Sequence, residues 1–471
     1  MKFRRILFTL LFCLAFTNKA AAQIVFEIKN EQNPKAKILF FGFNTTDEYV
    51  RQDSYEIFDR IERNLKTTNL FETSATMEML QTVDNQGVDP SLRTQPQQIS
   101  TFNEEGKELK KAVPASVSVE MLPDFNFYNR MQVSAIIVAQ FNYDFEGNLE
   151  MRVRMWDVLD ERQLFGKFYS ASKDNYKKIA NVLSDEIFKA ITNERAGHFD
   201  SKIAYIAEYG EAKKRIKKLV VMDYDGENRR YLTGGGDLVL TPVFARDPDE
   251  LFYLRYYRNR PQIFKLNMRS MRNQEVGSFN GTTFAASPHP SDANRVLLSA
   301  IIDGNSDIYE LYLSENRAIR LTNSPAIDAT ASYAPDGNSI IFISDRDSGQ
   351  QIYTMNLKGR AVEKLTNGAG SYAKPIYSPD GKMIAFTRIK NGQFYIGTMS
   401  TNSKNERLLA SGYLVEGAKF SPNGRYLIYS KKKTAYGQSS IPGLYVIDIA
   451  TGFEREIALP IGEGATDPDW I

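Results

Sequence analysis

The sequence has one cysteine, Cys13, and two histidines, His198 and His289. Cys13 lies within a leader-like stretch, so a chain cut behind that stretch carries no thiol. Disulfides, thiol catalysis and Cys-ligated metal sites are then excluded. His198 falls at a domain junction and His289 in a turn, positions that fit structural roles better than a general base or a metal ligand. There is no surplus of charge. Lys and Arg number 59 against 57 Asp and Glu, a net of +2, which lacks the concentrated positive charge of a nucleic-acid footprint. The run Lys431-Lys432-Lys433 follows a strand-like segment and reads as a solvated loop face rather than a phosphate or lipid patch. No Gly-x-Ser-x-Gly pentapeptide and no Gly-rich phosphate loop occurs. Asp225-Gly226 and Asp303-Gly304 do not continue into the ligand spacing of a calcium loop and read as hairpin turns.

Apolar runs are also short. The longest is the eleven residues Ile6 to Phe16, preceded by Lys2, Arg4 and Arg5 and followed by Ala20-Ala21-Ala22. That order reads as an export signal cleaved near Ala22, with Gln23 as the mature start. As a helix the run reaches roughly 17 Å, far short of the ~30 Å hydrocarbon core of a membrane. Bulky Phe12 before Cys13 argues against a lipoprotein cleavage site. The mature chain is therefore expected to be exported and not membrane-spanning.

Beyond the signal the chain divides into two textures. Residues 23–195 read as an α/β domain. Lys35 to Phe43 is strand-like, and Ile57, Phe58, Ile61 and Leu65 recur at helical spacing between Tyr49 and Thr67. The polar stretch Asp84 to Lys111 reads as a loop or irregular insert. Ser134 to Ala139 is a continuous apolar run of a buried strand, and Asn148 to Val158 alternates as a half-buried one. Asn175 to Thr192 is an amphipathic helix with Asp174 placed to cap it.

Residues 200–471 repeat themselves. Ala334-Pro335-Asp336-Gly337, Ser378-Pro379-Asp380-Gly381 and Ser421-Pro422-Asn423-Gly424 place their prolines 44 and 43 residues apart. An aromatic precedes each copy and an apolar strand follows it. Proline presets φ for a turn, Asp or Asn tolerates its tight geometry, and Gly supplies φ > 0. Further strands and degenerate copies (Ser287 to Pro290, Phe244 to Asp247) extend the series upstream. The first unit, with strands at Ile203, Leu219 and Arg230, lacks its leading strand, and Asp467 to Trp470 matches that position. The count is six blades of four strands, an all-β propeller closed by the C-terminal strand.

Phe199 to Tyr205, the Val221 to Gly226 turn, Leu238 to Phe244, Ser411 to Glu416 and the closing Asp467 to Trp470 together resemble the TolB family. The resemblance implies a non-enzymatic, cofactor-free component of the Tol–Pal system in the periplasm, acting in outer-membrane integrity and in constriction at cell division. It implies that the lipoprotein Pal docks at the mouth of the propeller channel and that TolA takes the mature N-terminal segment. Outer-membrane proteins and colicins are admitted as further partners. The N-terminal segment corresponds to Gln23 to Asn33, where Ile24, Phe26 and Ile28 alternate as a strand able to add to a sheet edge, or simply as a first strand. Loops before each first strand face the channel. Among them the resemblance marks Asn280, Thr283 and Ala329 as positions matching Pal contacts, and Asp328 in the same loop is taken as a further partner-binding residue. Tyr372, Tyr413 and Leu414 are anchor candidates, with packing inside the propeller as the competing reading. The alternative function is a propeller that binds or processes a glycan or peptide in its channel.

Overall fold

The repeated tetrapeptides form the turns between the first and second strands of their blades. In the computed structural model Gly337, Gly381 and Gly424 take φ of 69°, 73° and 73°, and their N–H groups donate to Ala334, Ser378 and Ser421 at 2.9, 2.9 and 2.8 Å. Only glycine adopts that conformation without cost. Ser378 and Ser421 hydroxyls also accept the N–H groups of Met383 and Tyr426, at 2.9 and 3.0 Å. In the degenerate copy, His289 takes over this work. Its Nδ1 accepts the N–H groups of Ser291 and Asp292 at 3.2 and 3.1 Å, so the ring is a neutral turn cap. The described residues are 35–41, 48–76, 97–102, 108–113, 122–172, 175–211, 214–258, 260–277, 281–347, 349–434 and 441–471. Ile24, Phe26, Ile28 and Asn280 lie outside them, as do the signal and the expected cap Asp174.

Six four-stranded sheets follow one another. Five are built from consecutive strands, and the sixth is completed out of order, as the repeat count requires. Its strands are Arg230–Tyr231, Ile216–Asp223 and Lys202–Tyr209, and the strand beside Lys202–Tyr209 is Gly464–Trp470, with Trp470 opposite Ile203. We call this sheet blade 1 and count onward along the chain. The Trp470 indole N–H donates to Ser201 Oγ at 2.7 Å. Just ahead of the closing strand, the Glu463 carboxylate accepts hydroxyl hydrogens from Tyr205 at 2.7 Å, from Tyr231 at 2.8 Å and from Tyr209. Asp469 reaches both neighbouring blades. It accepts the Phe244 N–H of blade 2 at 2.7 Å and pairs with Lys419 of blade 6 at 3.0 Å.

The α/β part is a seven-stranded sheet in the order Phe71–Thr76, Ala36–Phe41, Ala135–Tyr143, Leu149–Asp157, Arg162–Ala171, Gln97–Phe102, Glu108–Val113. Helices α1 (Glu48–Lys66) and α3 (Tyr176–Thr192) pack through Ile57, Ile61, Leu65, Ile179, Leu183 and Ile187 into one core with it, and the short α2 (Phe125–Arg130) joins a second cluster around Trp156. The polar stretch read as irregular contains two paired strands, Gln97–Phe102 and Glu108–Val113. Strand pairing is a backbone matter, and a hairpin at a sheet edge needs no apolar alternation to form it.

The two parts share one core that also takes in Trp470, Tyr426 and Ile203. Arg60 of α1 is buried where they meet. Its guanidinium reaches Glu227 at 2.7 Å, Asp225 at 3.0 Å and Asp223 at 3.3 Å, all in one turn of blade 1, and donates to Asn181 of α3 at 2.9 Å. All three guanidinium nitrogens are therefore engaged, the two terminal ones across the junction. His198 is sealed among Phe199, Tyr426, Phe188 and Trp470, with ring centroids 4.1 and 4.5 Å from Phe199 and Tyr426. Burial, reinforced by Arg455 and Arg425, pushes its pKa well below the usual histidine value. Among the described residues no helix is long and apolar enough to cross a membrane.

Two outcomes test this account. Trp470→Ala removes a buried indole from the closing strand and is expected to cost about 3–5 kcal/mol, read as a lowered midpoint in denaturant. Because the folded protein resists protonating His198 while the unfolded chain does not, stability should be level above about pH 6.5. It should fall by up to ~1.4 kcal/mol per unit as the pH drops below that value. His198→Phe should flatten that part of the stability-against-pH curve.

A candidate docking site at the channel mouth

The first strand of every blade lines the channel, and every one of them carries a bulge. Register shifts occur at Leu240/Val243, Phe284/Ala286, Ala329/Ser332, Ala373/Ile376, Glu416/Lys419 and Thr466/Asp469. At each shift one residue has positive φ: Thr241 (44°), Ala285 (53°), Thr330 (49°), Lys374 (48°), Gly417 (70°) and Asp467 (49°). A bulge bends its strand and re-aims a side chain. Five of the six residues are not glycine, so each such site stores strain that the packed ring must hold.

This ring lines a channel cavity of about 120 Å³. Lys374 and Lys419 are the cationic residues of its lining, and the Lys374 ammonium bridges Asp467 at 2.8 Å and Glu416 at 3.2 Å. Burial alone would lower the lysine pKa, but the two carboxylates raise it above the ordinary value. Burial likewise would raise Asp467, and the lysine holds it below the usual carboxylate range. The triad thus ties blades 5, 6 and 1 together, its single cation shared by two carboxylates. Toward the α/β side the channel opens into a basin of about 430 Å³ walled by Pro290, Pro335, Pro379, Tyr377, Phe420 and Trp470.

Strand direction alternates within a blade, so the two faces of the propeller carry different loops. The turns that touch the α/β domain, Asp223–Glu227 and Asn423–Arg425, lie on one face. The loops preceding each first strand, and the turns between second and third strands, lie on the other. On this free face apolar side chains stand out of the protein: Ile216, Leu238, Tyr256, Ile301, Ile327, Tyr413, Ile441 and Ile461 are all exposed. Singly exposed apolar residues are ordinary; eight on one face, encircling a channel mouth, mark a surface suited to a protein partner.

The expected site residues divide by depth. Tyr413 is 55% exposed, with Lys432 Nζ 5.5 Å above its ring. Ala329 and Leu414 are half-buried at the rim. Three others are corrected by the structure. Tyr372 is wholly buried, its ring 5.3 Å from Phe386 and its hydroxyl donating to Glu406 at 2.6 Å. Asp328 is also wholly buried, and both its oxygens accept from Arg346 at 3.0 Å. Thr283 is buried as well. These side chains cannot reach a partner, because the face of the first strand on which they lie packs inside the propeller. Sequence reading missed the bulge ring, and it placed Ile327 in a channel-facing loop without marking it as an anchor. The ring has a faint signal: proline follows Thr241, Lys374 and Asp467, and alanine follows Ala285, Thr330 and Gly417. A residue freed from the ladder by a bulge can be proline, which has no N–H to donate.

Residues 188–471 match the family described as the TolB beta propeller domain. The chain is 39% identical over 375 residues to the Tol-Pal system protein TolB of Gluconobacter oxydans (strain 621H), covering 79% of this chain and 82% of that protein. The chain belongs to the TolB family. The crystal structure of TolB from Acinetobacter baumannii has the same fold, with a TM-score of 0.73 at 22% identity, over 93% of this chain and 97% of that one. The chain is accordingly a Tol–Pal system protein, a six-bladed propeller behind a small α/β domain. The Lys374 triad in this family member offers a direct check. Lys374→Met leaves Asp467 and Glu416 facing each other without a cation. Since the lysine is partly exposed, the expected cost at pH 7 is about 1–3 kcal/mol. The loss should shrink at pH 4, where protonation relieves the carboxylates, as read from paired thermal melts.

Proposed function

We propose that this protein works in the periplasm as a non-catalytic adaptor of the Tol–Pal system, holding Pal against the channel mouth on its free face. Its role there is to support outer-membrane integrity and constriction at division. The observation that carries the reading is the ring of exposed apolar side chains around that mouth, displayed on a closed and rigid scaffold. Ile327 and Tyr413, at 52% and 55% exposure, are the anchors of this surface. Ala329 and Leu414 sit beside them, and Asn280 and the Gln23 to Asn33 segment, proposed to take TolA, complete the assignment from the family resemblance. Aromatic and large apolar anchors at the centre of a patch carry most of the energy of such interfaces.

The competing idea of glycan or peptide chemistry in the channel finds less support. The channel cavity of about 120 Å³ is small beside the ~300–1,000 Å³ of ordinary ligand sites, and the larger basin of about 430 Å³ has one carboxylate in its lining, Asp469, which is paired with Lys419. Asp467, the one carboxylate in the lining of the channel cavity, and neighbouring Glu416 are both spent on Lys374.

The test is a calorimetric titration of the mature protein with the periplasmic fragment of Pal. Saturable binding is expected, weakened at least tenfold by Ile327→Asp or by Tyr413→Ala, and by the bulkier Ala329→Trp. No binding by the native protein, or affinity indifferent to all three changes, removes the proposed site.

A further inference from the structure

The apolar ring on the free face is bordered by charges that are not evenly mixed. Over blades 1 and 2 stand Lys214, Arg258 and Arg260, all exposed. Among the described residues none of these three has a carboxylate partner within 4.0 Å. They adjoin the apolar residues of the same sector. A Cβ on Gly235 would lie 2.5 Å from Ile216 Cγ2, which sets the Ile216 side chain against the loop leading to Leu238. The Tyr256 N–H donates to the Leu238 carbonyl at 2.9 Å, fixing the Arg258 turn next to that loop. Of the acids nearby, Asp237 is engaged by Arg255 at 2.5 Å and Glu208 by Arg215 and Lys217, both at 2.6 Å, while exposed Glu211 shares the turn of Lys214 and offsets one cation of the sector.

Over blades 3 and 4 the sign reverses. Asp303 is exposed at the tip of its hairpin, beside exposed Ile301. Asp345 is half-buried and accepts the N–H of Ile327 at 2.8 Å, which places a carboxylate directly against an apolar anchor. The nearest basic side chain, Arg346, is turned inward onto buried Asp328. The two sectors therefore have the same anatomy, apolar residues bordered by charge, with opposite polarity.

We infer that the free face is electrically divided and takes a protein partner of matching polarity, one presenting an acidic cluster to blades 1 and 2 and a basic group to blades 3 and 4. This deepens the reading that Pal docks here and rests on it. Rim charges act chiefly on encounter rate and on the orientation of docking, while apolar anchors govern residence. The division would thus fix the angular register of the partner on a pseudo-symmetric ring, whose six blades otherwise offer six similar ways to dock.

The experiment measures association kinetics of the native full-length mature protein with the Pal periplasmic fragment, at low and at high salt. Two neutralised proteins are compared with it. In one, Arg258→Asn and Arg260→Gln remove two of the three cations of the basic sector; in the other, Asp303→Asn and Asp345→Asn empty the acidic one. Asparagine keeps the left-handed turn geometry at 258 and 303, where φ is 50° and 51°, and it keeps an acceptor for the Ile327 N–H. Lys358→Gln, an exposed change on the opposite face, is the control. Each double variant is expected to associate about five- to tenfold more slowly than native at low salt, with a shallower salt dependence and little change in dissociation rate. The control should match native. Double variants that associate at the native rate overturn the polarity inference and leave the docking site standing, whereas a native protein that binds no Pal overturns the site and the inference with it.

Discussion

Everything in the propeller hangs on the pairing of Gly464–Trp470 with Lys202–Tyr209. A ring of small sheets has two ends, and each would be an open edge able to pair with another chain. Here residues separated by more than two hundred positions supply adjacent strands of one sheet. The contact is reinforced by chemistry of several kinds: a ladder of backbone bonds, a buried indole bonded to Ser201, and a carboxylate that gathers three tyrosine hydroxyls. Asp469 then fastens the strand sideways to blades 2 and 6. With closure in place, strained positive-φ residues can be tolerated on six inner strands, because no strand can relax alone.

The junction with the α/β domain extends the same body. Arg60 spends its guanidinium on the blade 1 turn, and His198 is packed between rings from both sides. A buried, fully hydrogen-bonded cation is costly to leave unpaired, so the domains are held in one relative placement. The face with these contacts is occupied, and the opposite one remains available. The docking proposed at the free mouth thus rests on where the first domain sits as much as on the apolar residues themselves.

Much of this was legible in the residues. The turn tetrapeptides specify their own geometry, so spacing and strand count followed, and the incomplete first unit with a matching Asp467-Pro468-Asp469-Trp470 pointed to closure. The site was less legible. Tyr372 and Tyr413 look alike as letters, yet one is wholly buried and the other is half out in solvent. Which face of an inner strand a residue occupies depends on the bulge, and a bulge shifts the alternation by one without leaving a period in the sequence. The edge hairpin at 97–113 was hidden for a related reason, since polar residues can pair by backbone alone. Charge sectors are invisible before blades are placed in a circle.

The out-of-order first blade also has a bearing on how the chain is made. A chain that emerges from its N-terminus presents Lys202–Tyr209 early and must keep that strand unpartnered on one side while some two hundred and fifty further residues appear. Blades 2 to 6 can each assemble from consecutive strands as they arrive, but the circle is completed only when residues 464–470 reach the start. Synthesis or transport interrupted before that point would release an open arc with a bare strand edge, a natural target for proteolysis and for pairing with a second arc.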